Sequence, residues 1–516
     1  MDTRISPNAS FHTDAVKLTL LQSSGAVPLE AIPVLDYADF YDLLVERLAN
    51  PECHCLTYYG FPWRNEIRCL ACIADDTHHT VEVYAYALPK SDNLRLEAIS
   101  EKIPAMHIFE RELAENFGID FFGHPWLKPV RLAWNRSDLS QTLRNYPFYA
   151  IDSESLHEVG VGPIHAGVIE PGHFRFICNG EEILHLEIQL GYQHRGVEHL
   201  FVQHKKLTQR TVLAESIAGD TAVGHTWAFA QVMEALMHLQ PDETTELNRT
   251  LALELERMAI HTGDMSALFV DVAYQLGSAV LGVLRTPLIN FFQQWCGNRF
   301  AKGLVRVGYS PYPLQPALAE QLDKMLIAYK ARYLQMMEHA LSLPSVQARF
   351  EKNGEVSLAQ MQTIGAVGMA ARMAGLARDI RISHPFGNFR QSPIATHLKE
   401  GGDVWARAHL RHDEILTSMQ YLRDHLPKLQ PAVQNIPTSY PALPAEHFAL
   451  ALTEGWRGEI CHCAVTDQHG EIAHYKVKDP SMHNWLALAL ACRNLDISDF
   501  PVNNKSFNLS YCGFDL

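Results

Sequence analysis

Long apolar runs are missing from this sequence. Its first residues, MDTRISPNASFHTDAV, hold no apolar core of the kind a secretion signal needs. The most apolar helical stretch, Met265 to Leu284, carries Asp271 inside it. A carboxylate in mid-bilayer is costly, so a buried core helix is expected there in place of a membrane span. Positive charge is scarce too: 43 Lys and Arg stand against 58 Asp and Glu, for a net charge of −15. That balance disfavours nucleic-acid binding through phosphate contacts. No Lys/Arg block suggests a nuclear signal or a membrane-surface patch. The ten cysteines are scattered along 516 residues, unlike a dense disulfide framework, and are expected to be reduced in an intracellular protein. A Gly-x-Gly-x-x-Gly nucleotide loop, a P-loop and a nucleophile elbow are all absent. So are internal repeats and low-complexity tracts.

What is present reads as an α+β chain of two domains. Residues 1–30 are weakly patterned and expected to form a partly mobile leader. Residues 31–134 mix helix and strand. Asp36 to Leu48 is amphipathic, and Cys55–Tyr59, Glu66–Ala74 and Thr80–Leu88 have strand character. Ser91-Asp92 then precedes a helix expected to contain Leu94, Leu96, Ile99 and Ile103. Residues 135–160 are polar and aperiodic, as in an interdomain linker. Residues 161–516 are mainly helical, with β-hairpins near both ends. In the first hairpin Phe174, Phe176 and Cys178 share a face, Asn179-Gly180 makes the turn, and Ile183, Leu184 and Leu186 resume the apolar run. In the second, Ile460–Val465 and Ile472–Val477 flank Asp467 to Gly470. Between them Glu198–Leu239, Glu246–Val283 and Pro316–Leu343 have helical periodicity, and Arg257, His261 and Asp264 fall at spacings that place them on one polar seam.

Several dense motifs carry a resemblance. The run Phe109 to Pro125 (FERELAENFGIDFFGHP) resembles the E-R-E-x-x-D-x-F-G-I-x-F-x-G-H-P signature of the small hydrophilic subunit beside the quinone cavity of respiratory complex I, with Glu115 on the Asp position. The stretch GPIHAGVIEPGHFRF to GYQHRGVE, from Gly162 to Glu198, resembles the large subunit of membrane-bound energy-converting [NiFe] hydrogenases of the formate-hydrogenlyase type. It is also similar to the quinone-cavity subunit of complex I. Gly375, Asp379, Arg381 and Pro385, the Gly402-Asp403-Val404 run with Arg407, Arg411 and Glu414, and the turns at Glu454–Glu459 and Pro480–Asn484 extend the match, which covers roughly residues 30–516. The resemblance implies docking for the N-terminal domain. It also implies a partner subunit holding a [4Fe–4S] cluster opposite the His194-Arg195-Gly196 loop, membrane subunits of an ion-translocating complex, and a peripheral position on the cytoplasmic side of the inner membrane.

The departures matter as much. Ala218, Thr221, Ser510 and Gly513 stand where the hydrogenases hold nickel through four cysteines, with Cys512 between the last two, and the removable tail of that family is not expected. Ala and Gly offer no ligand atom, and hydroxyls are poor substitutes for thiolates, so no nickel is expected. Pro171 and Gly219 stand where complex I has its quinone-contacting His and Tyr, which leaves quinone binding open. What remains is a protonatable set: Glu170, which matches the proton-passing Glu of the hydrogenases, with His165, His173, Asp220 and His225 as neighbours. Cys53-His54-Cys55, Cys69-x-x-Cys72 and Cys461-His462-Cys463 also offer zinc-type ligands, but strands would point successive members to opposite faces. The expected function is that of a large subunit in which electron transfer drives ion movement. The rival readings are a non-catalytic scaffold and an enzyme with a repurposed cavity.

Overall fold

The computed structural model describes residues 19–91, 93–167 and 169–516. The first of these residues are strands: β1 (Thr19–Leu21), β2 (Ser24–Pro28) and β3 (Val34–Leu35), then helix α1 (Tyr37–Ala49). Three long strands follow, β4 (Cys53–Trp63), β5 (Glu66–Asp75) and β6 (Thr80–Pro89), then β7 (Arg95–Glu97), α2 (His107–Phe117) and β8 (Asp120–Phe122). The long strands pair in the order β1-β6-β5-β4, with β3 parallel to β6. Because side chains alternate across a strand, this sheet presents two apolar faces. Tyr58, Ala71, Ile73, Tyr84 and Tyr86 pack with Phe40 and Leu44 of α1 and Leu113 of α2. Leu56, Phe61, Leu70, Cys72, Val81 and Val83 join the cluster that holds Trp227, Leu255 and Leu450 from the rest of the chain. Burial on both faces explains why these strands read as nearly continuous apolar runs.

After an irregular stretch come β9 (His157–Val161), β10 (His173–Asn179) and β11 (Glu182–Gln189), antiparallel neighbours with Gly180 at φ +61° in the turn. Helices α3 (Val197–Gln203), α4 (Leu207–Ala214), α5 (Ala222–Met237), α6 (Glu243–Asp271), α7 (Gln275–Cys296) and α8 (Pro316–Ser342) build the bundle. Short helices α9 (Pro344–Phe350), α10 (Leu358–Ile364), α11 (Gly368–Arg372) and α12 (Ile380–Ser383) lead to α13 (Val404–His425). The chain ends in β12 (His447–Glu454), β13 (Glu459–Thr466), β14 (Ile472–Lys478), α14 (Ser481–Ala491), α15 (Phe500–Phe507) and α16 (Tyr511–Asp515). Among the described residues no helix is long and apolar enough to cross a membrane.

Three expectations need correction. Residues 1–18 of the expected leader lie outside the described residues, but its later part is built into the fold: β2 pairs with β12 and completes the C-terminal sheet in the order β14-β13-β12-β2. Five small residues of no marked period give too little pattern to read, and the pairing partner lies more than 400 residues away. The helix expected from Leu94 is a strand followed by 3₁₀ turns. Leu94, Leu96 and Ala98 are buried at period two, and β7 pairs in parallel with β8. The single helix expected through Met265–Leu284 is broken at Val272–Tyr274, with Ala273 at φ +59°. There α6 and α7 fold back as a hairpin, and the Ser266 hydroxyl donates to the Ser278 carbonyl at 2.8 Å. Gly277 permits the approach, since a Cβ there would meet the Phe269 ring at 2.8 Å.

The shared core has a measurable consequence. Leu56 is fully buried in the cluster common to both domains. Leu56→Ala should cost about 2–5 kcal/mol and lower a single cooperative endotherm of the full chain. Two resolved endotherms, only the first of them moved, would show that the sheet and the bundle unfold separately.

Candidate functional site

Four loops meet at the end of the molecule where α16 lies. The β9–β10 loop reaches α16 because Gly172 lacks a side chain: a Cβ there would lie 2.6 Å from the Tyr511 ring. This brings Glu170 near the Cys512 thiol, which burial and the carboxylate's charge push up to about 11. Cys512 is the one cysteine of the ten that is not fully buried. The loop after β11 is clamped to the same helix. The Asp515 carboxylate accepts the Gly191 and Gln193 N–H groups at 2.7 and 2.8 Å, and His194 Nδ1 donates to the Asp515 carbonyl at 2.8 Å. Burial raises Asp515 to about 6, the two N–H donors limiting the rise. Gly196, at φ +67°, starts α3 in the left-handed region that glycine adopts freely.

Arg195 ties this loop to the next. Its guanidinium donates to the Ser216, Ile217 and Cys512 carbonyls at 2.6, 2.9 and 3.1 Å. The loop from Ser216 ends at Thr221, where α5 begins, and the buried Glu256 of α6 accepts the Val223 N–H at 2.9 Å. Burial, together with the Asp220 charge, pushes Glu256 up to about 8. The fourth loop, between β12 and β13, supplies Arg457. Its guanidinium makes a two-pronged pair with Asp220 at 2.7 and 2.8 Å, lies 3.9 Å over the Trp456 ring, and also reaches the Thr221 hydroxyl at 3.2 Å.

His225, on α5, points inward. Its Nε2 lies 3.0 Å from Asp479 Oδ2, and its Nδ1 lies 3.1 Å from His462 Nε2. His462 Nδ1 in turn is 2.9 Å from the Tyr475 hydroxyl. Burial opposes ionisation of Asp479, yet the His225 ring and Arg457 hold its carboxyl below the usual range. Burial keeps His462 neutral. The line Asp479–His225–His462–Tyr475 is thus an unbroken series of groups that can exchange hydrogen bonds, fully inside the protein.

The sequence-derived residues divide accordingly. Glu170, Asp220, His194, Arg195 and Gly196 lie on the converging loops, and His225 lies directly behind them. His165 spans its own loop, donating from Nε2 to the Gly172 carbonyl at 2.8 Å. His173 turns onto the Phe148 ring and the Gly162 carbonyl, and none of its hydrogen bonds or ring contacts is with Glu170, Asp220 or His225. Sequence reasoning misses Arg457, Asp479, Tyr475 and Asp515 as site residues. Arg457 has a legible signal, a charged side chain between two close glycines in the Glu454–Glu459 turn, whereas Asp479 and Tyr475 become partners only through the folding of β14.

Ala218 and Thr221 lie in the third of these loops, and Ser510 and Gly513 at the start of α16. The space beside them is occupied by ionic side chains: a Cβ on Gly513 would lie 2.5 Å from Asp479 Oδ2, and the Ser510 hydroxyl instead accepts the Gly513 N–H at 2.9 Å. This donor set does not suit nickel, which takes thiolate ligands in such sites. Among the described residues no three His, Cys, Asp or Glu are grouped to hold a metal ion. Of the zinc-type motifs, Cys69 and Cys72 point to opposite faces of β5 and sit in different clusters. Cys53 and Cys55 share the α1 side of the sheet with Cys69, and Cys461 and Cys463 lie with Cys72 on the other.

Comparison with known proteins finds relatives for both parts of the chain. The family described as the respiratory-chain NADH dehydrogenase 30 Kd subunit matches residues 38–143, and that of the 49 Kd subunit matches residues 280–515. The chain is 25% identical to formate hydrogenlyase subunit 5 of Escherichia coli over 435 residues, covering 80% of this chain and 76% of that protein. It is 27% identical to the carbon monoxide-induced hydrogenase of Rhodospirillum rubrum, covering 67% and 96% of the two chains. To an NADH-quinone oxidoreductase subunit of Phocaeicola vulgatus it is 25% identical, covering 78% and 83%. The fold is similar to a chain in the membrane-bound sulfane sulfur reductase, an archaeal respiratory membrane complex, with a TM-score of 0.66 and 18% identity over 71% of this chain and all of that one.

Glu256 offers a test of the site's electrostatics. Its folded-state value lies above that of an unfolded carboxyl, so the stability linked to its proton is complete below about pH 4.5 and is lost as pH rises through about 8. Glu256→Gln should therefore gain on the native protein steadily from pH 5 to pH 8 in calorimetric melting temperature. A gap independent of pH would mean that Glu256 is ionised throughout.

Proposed function

From a chain that belongs to the family of complex I-like and energy-converting-hydrogenase large subunits, we propose a large subunit of a membrane-associated oxidoreductase complex that works without nickel. It receives electrons from an iron–sulfur partner subunit at the His194-Arg195-Gly196 loop and couples their arrival to ion movement in membrane subunits. The terminal acceptor is a quinone or another small oxidant. The observation that carries this reading is the set of ion pairs packed among the converging loops. The segments that carry Ala218, Thr221, Ser510 and Gly513 converge, and the Asp220–Arg457 and His225–Asp479 pairs lie beside them.

The chain's own residues then handle protons. Glu170 faces the surface side of the cluster beside Cys512. The line from Asp479 through His225 and His462 to Tyr475 offers a route for proton displacement on the inner side. A peripheral position, held by partner subunits on the cytoplasmic side of the inner membrane, fits a chain whose described helices cannot span a bilayer. It also fits relatives whose names include a membrane-bound hydrogenase subunit. The second reading, a scaffold that keeps only the interfaces, is favoured by the tightness of the Arg457–Asp220 closure.

The natively purified complex should contain iron and no stoichiometric nickel by elemental analysis, with a reducible iron–sulfur signal in paramagnetic resonance. Glu170→Gln or His225→Ala should alter that signal or its pH response. Nickel at one per chain would sink the proposal, and a cluster indifferent to both substitutions would point to the scaffold.

A further inference from the structure

The corner between α3 and α4 holds a buried cation that lacks an anion. Three residues, His204 to Lys206, join the two helices. Arg210, the fourth residue of α4, is 5% exposed. A helical side chain leans toward the N-terminal end of its own helix. Arg210 runs back in this way across the corner, and its Nε donates to the Phe201 carbonyl of α3 at 2.8 Å. Among the described residues that is its one hydrogen bond. Nη2 is sealed in without a partner, whereas Nη1, also unbonded, keeps contact with solvent. Glu471, the carboxylate whose charge reaches the guanidinium, is paired with Lys205 at 3.2 Å. Burial accordingly holds Arg210 below its usual range, and Glu471 offsets this only in part.

Other arginines show what is missing. Of the ten buried among the described residues, seven pair with a carboxylate. Arg111 and Arg407 do not, but Arg111 donates to two carbonyls and Arg407 to four oxygens. Each of those two also lies against an aromatic ring, Trp126 at 4.7 Å and Phe507 at 4.2 Å. Arg210 has neither form of compensation, and a buried charge left unmatched is costly. The start of α4 is equally unmet. Lys206 holds the cap position without a side-chain cap, and the first turn contains no acidic residue. The Leu207 and Thr208 N–H groups have no partner among the described residues. Free amides and the helix dipole make such an end attractive to anions. With Lys205 neutralised by Glu471, the corner offers Arg210, the exposed Lys206 and two amides. Two full positive charges match a doubly charged tetrahedral anion, whereas a carboxylate would neutralise only one of them.

We propose that the α3–α4 corner binds a phosphate group, held by the Arg210 guanidinium and the Leu207 and Thr208 amides, with Lys206 at the rim. The phosphate belongs to a soluble ligand or to a phospholipid headgroup, which share this chemistry. No residue of the converging loops takes part, and occupancy does not depend on the redox role.

Inorganic phosphate, titrated into the purified full chain at fixed ionic strength, tests the site by calorimetry and melting temperature. Phosphate should bind saturably and raise the melting temperature by mass action, and acetate should do neither. Arg210→Met keeps the buried stem and removes the charge. It should weaken phosphate binding at least about tenfold, the scale of one charged hydrogen bond. Without phosphate it should melt no lower than the native chain. Lys206→Gln, an exposed change, should weaken binding severalfold. Phosphatidylcholine vesicles with and without phosphatidic acid separate the two sources. Retention on phosphatidic acid that is lost in Arg210→Met assigns a lipid headgroup, and binding of free phosphate without such retention assigns a soluble ligand. Failure of both probes, equal binding of acetate, or phosphate affinity unchanged in Arg210→Met and Lys206→Gln would overturn the site. So would a lower melting temperature of phosphate-free Arg210→Met, which would mean that the charge is already compensated within the chain.

Discussion

Three guanidinium groups in the centre of the bundle have no access to water, and the surrounding architecture meets their need for anions. Arg257, Arg372 and Arg381 are buried to within 2% of complete. Isolated buried charges are prohibitively unfavourable, so each is enclosed by carboxylates. Arg381 pairs with Asp379 at 2.7 Å and Glu254 at 3.1 Å. Arg372 bridges Glu414 at 2.5 Å and Glu454 at 2.8 Å, and Arg257 lies between Glu254 and Glu414 while donating to the Glu454 and Gly455 carbonyls. His261 donates to Glu414 at 2.8 Å. One network thus binds α6, α11, the start of α12, α13 and the end of β12. No member can shift without exposing another unpaired charge.

The site depends on that rigidity. Glu454 ends β12, and the turn to β13 begins at the carbonyls that Arg257 grips. Gly458, at φ +137°, packs backbone to backbone against Gly368, the first residue of α11, where neither position has room for a side chain. Held on both sides, the turn presents Arg457 to Asp220 in one direction and to the Asn508 carbonyl, at 2.6 Å, in the other. Asn508 is itself fixed by Asp264, whose other oxygen takes Arg411 at 3.1 Å. The C-terminal segment that carries Ser510, Cys512 and Asp515 is therefore positioned from the bundle centre outward.

How much of this is legible in the sequence varies with the range of the interaction. Strands β4 to β6, α1, α2 with its Gly118 stop and the two hairpins are legible because period, turn residues and caps are local. The polar seam of Arg257, His261 and Asp264 is legible as a spacing on one helix, but its partners Glu414 and Arg411 lie about 150 residues away. The same holds for β2, for His225 with Asp479, and for Arg457 with Asp220. The loops of the site can be found because motif residues mark them. What fills the space between those loops cannot, because the departing residues show only which ligands are gone. His173 illustrates the limit: it adjoins Gly172 in the motif, yet strand alternation turns it onto the linker's Phe148.

Charge balance in the central network bears on how the site can work. Its three arginines face four carboxylates, Glu254, Asp379, Glu414 and Glu454, so one negative charge is in excess if His261 is neutral, as burial favours. Three of the four carboxyls are held below their usual range by the guanidinium groups despite burial. Glu454 is the exception: burial and the Asp379 charge raise it to about 7. Glu454 is therefore the carboxyl of the network most disposed to hold a proton, at the point where the network hands over to the Arg457 turn. Stability tied to that proton is lost as pH rises through about 7. A change of charge at Asp220 or Asp479 acts on Arg457 directly and on Glu454 across three residues of rigid turn. A low-dielectric interior screens such an influence weakly.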